Sequence, residues 1–144
     1  MQIKPRIGDI QNLLLMKNLI FVLLLLPSFA FAYQGTPGLE SISLALNTGD
    51  VETLSKYFAD NVEISIQDKE QVYNKAKAAE VLRSFFDTNK AKSFSQVHKG
   101  TSRESNDQYC IGNLTAVSGN YRVYLYLKVV GNTVNIQEIR LDKQ

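Results

Sequence analysis

The chain is poor in the side chains that most chemistry requires. It holds one cysteine, Cys110, one histidine, His98, and no tryptophan in 144 residues. A lone thiol cannot close an intrachain disulfide, so stability in an oxidising compartment has to come from packing. With Ile111 beside it, Cys110 reads as a small core residue. His98 has no second histidine and no adjacent carboxylate, so neither a catalytic dyad nor a metal site can be built on it from sequence. P-loop, Gly-rich dinucleotide loop, Cys/His metal spacing and nucleophile elbow are all missing. No cofactor and no metal are expected, and no residue is assigned as catalytic.

Long apolar runs are also scarce. The longest, residues 19–26, is broken by Pro27 and Ser28, well short of the roughly 20 residues that span a bilayer. Met16-Lys17-Asn18 precedes it and Ala30-Phe31-Ala32 follows. A basic start, an apolar middle and small residues at the end form a secretory signal. Cleavage is expected after Ala32, with Met16 a second candidate initiator and no cysteine near the site for a lipid anchor. The expected product is secreted or periplasmic, without a stable membrane span. Thirteen of the 16 basic and 13 of the 14 acidic residues lie after residue 32. The remainder is therefore neutral, and a broad nucleic-acid footprint is excluded. Residues 75–103 are locally basic, with seven Lys and Arg against Glu80 and Asp87; an anionic partner and an ordinary solvated surface both fit that pattern.

Periodicity supplies the elements. After an entry segment at 33–38, Leu39, Ile42 and Leu46 recur at helical spacing up to Gly49. Asp50 caps a second helix whose stripe is Val51, Leu54 and Phe58. Residues 61–67 and 71–74 alternate as strands, and 75–87 return to helical period, ending on Phe85-Phe86. Strands follow at 92–103 and 108–117; Phe94 and Val97 fall out of phase, as a bulge would leave them. A long hairpin closes the chain, 121–130 and 133–141, turning at Gly131-Asn132. Its second arm shifts phase at Gln137-Glu138, again the trace of a bulge. The predicted class is α+β: a curved antiparallel sheet wrapped around helices, forming one domain over 39–144.

Gly49-Asp50-Val51-Glu52-Thr53-Leu54 and Tyr57-Phe58-Ala59-Asp60-Asn61-Val62 resemble the second-helix and first-strand motif of nuclear transport factor 2-like proteins, a cone-shaped α+β fold also described as cystatin-like. Phe85-Phe86, His98-Lys99-Gly100, Tyr109-Cys110-Ile111-Gly112, Tyr121-Arg122-Val123-Tyr124 and Ile139-Arg140-Leu141 resemble, within that group, a small secreted bacterial family known only as a domain of unknown function. The resemblance implies a cone with a mouth where a small apolar ligand would sit, and it places the product in the Gram-negative envelope. It also implies where isomerases of this fold keep their oxyanion-stabilising Tyr and their Asp base. Those positions are Ile42 and Ile66 here, and isoleucine can neither donate to an enolate nor abstract a proton.

Two sets of residues remain. Phe58, Phe85, Phe86 and His98 are the expected pocket lining; His98 shares parity with Phe94 and is inward only if Phe94 is inward too. Arg122, Tyr124, Tyr126 and Lys128 point away from Val123, Leu125 and Leu127 and form the expected homodimer interface; the superfamily often dimerises through that face. The leading expectation is a non-catalytic protein that binds a small ligand or partner and self-associates. The competing one is a lyase or isomerase using His98, which requires that histidine inside the cavity.

Overall fold

A computed structural model describes residues 38–144; the leader and most of the entry segment lie outside them. Helix α1, Leu39–Thr48, buries Leu39, Ile42, Ala45 and Leu46 and ends at Gly49, whose φ of 70° is left-handed. Helix α2 is short, Val51–Lys56, and Asp50 caps it by accepting the Thr53 N–H at 3.1 Å. Phe58 does not belong to this helix. It opens strand β1, Phe58–Ile66, where it pairs with Ile136, because a spacing of four residues is equally available to a chain that leaves the helix at Tyr57. Strand β2, Lys69–Asn74, follows a tight turn. Asn74 then caps helix α3, Lys75–Thr88, which buries Ala78, Leu82, Phe85 and Phe86. Strands β3, Ala91–Thr101, β4, Gln108–Ala116, β5, Gly119–Val130, and β6, Thr133–Lys143, complete the chain.

The six strands form one curved, unclosed sheet in the order β2-β1-β6-β5-β4-β3. The class is α+β as predicted, with one difference. The sheet is mixed, since β6 runs parallel to β1, with Ile64 opposite Ile139 and Ile66 opposite Leu141. Alternation tells which face of a strand is buried, not which strand lies beside it.

Curvature comes from bulges. Tyr126 faces Glu138 and Leu127 faces Ile136, which leaves Gln137 as the extra residue. Both arms of β6 therefore keep their apolar residues inward: Val134 and Ile136 before the bulge, Ile139 and Leu141 after it, all 0% exposed. In β3 the extra residues are Lys92 and Val97. These bulges and lysines blunt an edge strand that would otherwise offer itself to another chain. Asn47 on α1 occupies part of the same edge by accepting the Phe94 N–H at 2.8 Å. Beneath it the Phe94 ring lies where a Cβ on Gly112 would be, so only glycine fits there.

The core lies between the helices and the inner face of the sheet. Val123, Leu125 and Leu127 are 0% exposed in the same core cluster as Phe85 and Phe86, and Phe85 meets the Tyr121 ring edge-on at 5.2 Å. A polar latch secures this end. Asn89 Oδ1 accepts from Tyr121 at 2.9 Å and from Ser118, while its Nδ2 donates to the Phe85 carbonyl at 2.8 Å.

Candidate functional site

Sheet register lays out the outer face row by row. Ser65, Arg140, Tyr124, Ile111 and His98 are successive cross-strand neighbours; Glu63, Glu138, Tyr126 and Tyr109 form the next row, and Asp142, Arg122 and Asn113 another. Between them lies a groove of about 420 Å³ lined by Ile111, Arg122, Tyr124, Glu138, Arg140 and Asp142. Because these side chains stand on paired strands, their spacing is set by the ladder rather than by a loop. Arg140 Nη2 holds Glu138 Oε1 at 2.8 Å, and its guanidinium lies 6.0 Å from the centre of the Tyr124 ring. Its Nε is buried without a hydrogen-bond acceptor among the described residues. Burial and the nearby Glu138 carboxylate raise the Tyr124 hydroxyl above its ordinary range. Partial burial, with Glu70 and Glu138 alongside, raises the Glu63 carboxyl.

The four expected interface residues all point to this outer side, but they are not equivalent. Arg122 and Lys128 are exposed and the two tyrosines half-buried. Tyr126 is already engaged within the chain, where its hydroxyl donates to Asp107 Oδ2 at 2.7 Å and ties down the β3–β4 loop. That bond holds the Asp107 carboxyl below the usual carboxylate range and the Tyr126 hydroxyl above its own. Tyr124 alone of the pair lines the groove, with Arg122, while Lys128 lies outside it. Sequence reading missed Glu138, Arg140, Asp142 and Ile111 as its other walls. The signal was present: once the phase shift at Gln137 is accepted, Glu138, Arg140 and Asp142 must face outward.

The expected pocket residues separate. Phe58, Phe85 and Phe86 are 3%, 7% and 6% exposed and belong to the packed core. His98 is not with them. The bulge at Val97 breaks its parity with Phe94 and turns it outward opposite Ile111, where it is exposed and its Nε2 lies 3.0 Å from the Tyr109 hydroxyl. A polar partner is thus in reach, but not inside a cavity. Cys110 is fully buried, and desolvation pushes its thiol up to about 11, which removes it as a nucleophile. A second cleft, about 470 Å³, lies between the α1–α2 corner and the end of α3, with Arg83 and Lys90 facing Asp50, Glu52 and Asp87. No group of three His, Cys, Asp or Glu among the described residues could hold a metal ion. None of the helices among them is long and apolar enough to cross a membrane.

The sequence profile of a domain of unknown function, DUF4783, matches residues 39–142. The chain belongs to the DUF4783 family. A crystal structure of a DUF4783 protein from Bacteroides ovatus is 34% identical to it, with a TM-score of 0.71, covering 76% of this chain and 98% of its own. More distant neighbours share the fold alone. An NTF2-like protein from Cytophaga hutchinsonii is 10% identical (TM-score 0.56; 74% of this chain, 93% of its own). A cystatin-like protein of unknown function from Nostoc punctiforme is 12% identical (TM-score 0.56; 74% and 86%). Comparison with curated proteins gives no match. In this DUF4783 chain the two positions at which the resemblance implied acid-base groups carry core packing: Ile42 is 0% exposed and Ile66 packs against the core cluster.

Proposed function

We propose that the chain is an exported, non-catalytic binding protein whose working surface is the outer face of its sheet, where it meets a second copy of itself. The observation that carries this reading is the contrast between the two faces. Inside, Ile42, Leu54, Val62, Leu114, Leu125 and Ile139 are each 0% exposed, so the place where a cone would hold a ligand is occupied by the protein's own side chains. Outside, a groove on rigid strands combines Tyr124 and Ile111 with two arginines and two carboxylates. Arg and Tyr are enriched at the centres of protein interfaces. The groove's net charge is zero, which suits an isologous contact in which one patch meets its own copy. Export rests on the leader at 1–32.

Native mass spectrometry of the protein recovered from its host tests the reading. A mass twice that of the product cleaved after Ala32, without a bound small molecule, is expected. A tight monomer at tens of micromolar would refute self-association, and a retained small molecule would return the function to ligand binding.

A further inference from the structure

The groove contains two charge pairs that behave differently. Arg140 and Glu138 close on each other at 2.8 Å within the chain. Arg122 and Asp142 stand directly opposite each other on β5 and β6 and line the same groove, yet neither forms an ion pair within the chain among the described residues. Arg122 is exposed, and Asp142 acts only at a distance, helping to raise Arg140. A guanidinium with five donors and a carboxylate with two acceptor oxygens are thus left side by side and unengaged. Both face the side on which Tyr124 and Ile111 supply an apolar floor.

Resting on the self-association reading, we infer that two copies meet across a two-fold axis beside this pair, with Arg122 of each facing Asp142 of the other. Two-fold symmetry makes the contact reciprocal, so one geometry satisfies four charges at once. Excluding water from the groove strengthens each pair relative to its value on an open surface. Arginine in particular can take a carboxylate with two parallel N–H bonds. Arg140 and Glu138 then serve as the closed rim that sets register, and Tyr124 as the buried centre. A sheet face joined this way depends on charge order, so a wrong partner or a slipped register would set like charges against each other.

Charge reversal in the exported protein is the decisive experiment, read by sedimentation equilibrium. Arg122→Asp alone places two carboxylates face to face on each side of the axis, and Asp142→Arg alone does the same with guanidiniums. Each is expected to weaken association at least about tenfold. The double variant Arg122→Asp/Asp142→Arg restores opposite charges in reversed order and is expected to return to within about threefold of wild type. The milder Arg122→Gln and Asp142→Asn should fall between, and thermal melting of every variant confirms folding. If wild type dimerises and the single reversals dimerise equally well, or the double stays as weak as the singles, the pairing is refuted while self-association stands. A wild type that remains monomeric overturns both.

Discussion

The latch at the end of α3 offers a stability test that can be worked from its atoms. Asn89 Oδ1 accepts two hydroxyl protons, from Tyr121 and Ser118, and its Nδ2 reaches the Phe85 carbonyl. Ser118 and Tyr121 are themselves 3.1 Å apart, so when Asn89 is shortened one hydroxyl can turn to the other and recover part of the loss. The backbone bonds from Asn89 N to Phe85 O and from Val117 N to Lys90 O remain. A partly buried neutral hydrogen bond is worth about 0.5–1.5 kcal/mol net. Losing three and regaining one puts Asn89→Ala at about 2 kcal/mol of destabilisation. Tyr121→Phe removes one donor while keeping the ring against Phe85 and should cost about 1 kcal/mol. The double variant loses all three bonds, and without the Tyr121 hydroxyl the bond between Ser118 and Tyr121 cannot form in their place, so it should cost about 3 kcal/mol. Urea titration of the four proteins measures this; for a domain of this size, about 2 kcal/mol lowers the midpoint by about 1 M at unchanged slope. An Asn89→Ala loss below about 0.5 kcal/mol would show that the latch carries no stability, and a double variant as stable as Asn89→Ala would show that Ser118 and Tyr121 recover no bond.

Two further outcomes follow from the outer face and from the edge strand. Glu63 has its folded pKa raised above 4.5 by burial first, then by Glu70 and Glu138. The folded state therefore binds that proton more readily than the unfolded state, and stability falls as pH rises through the window beginning near 4.5. Glu63→Gln should then stabilise near neutral pH by about 0.5 kcal/mol, the scale of a like-charge cross-strand pair, and the gain should vanish at a pH below that window. An equal gain at both pH values in thermal melts would contradict the assignment. Gly112→Ala sets a methyl group against the Phe94 ring and 2.8 Å from the Ser95 carbonyl oxygen. Overpacking against backbone should cost about 1–3 kcal/mol, and an unchanged melting temperature would mean that β3 can move away from β4.

Two bulges show what the sequence can and cannot state. Gln137 was legible because β6 has strong apolar residues on both sides of it, Val134 and Ile136 before, Ile139 and Leu141 after. Each arm anchors its own phase to the core, and the shift between them is forced into view. Val97 lies in β3, an edge strand whose residues from Ser95 to Lys99 are all exposed. With Phe94 as its chief apolar anchor, the strand has nothing on the far side of the bulge to fix phase, and counting parity through it put His98 on the wrong face. The same limit applied to Phe58, whose spacing fitted a helix stripe as well as a strand start, and to the parallel β1–β6 pairing, which no local pattern encodes.

That asymmetry also explains why the candidate site was only half visible. Arg122 and Tyr124 could be placed outward from β5 alone, since its alternation runs unbroken from Tyr121 to Leu127. Their partners Glu138, Arg140 and Asp142 come from the far side of the Gln137 bulge, and β4 adds Ile111 through a register that no single strand contains. Without the extra residue, Ile139 and Leu141 would turn out and Arg140 and Asp142 would turn into the core, where an unpaired charge costs several kcal/mol. One inserted residue thus keeps the core apolar and, by the same rotation, delivers the second cation and both carboxylates to the groove.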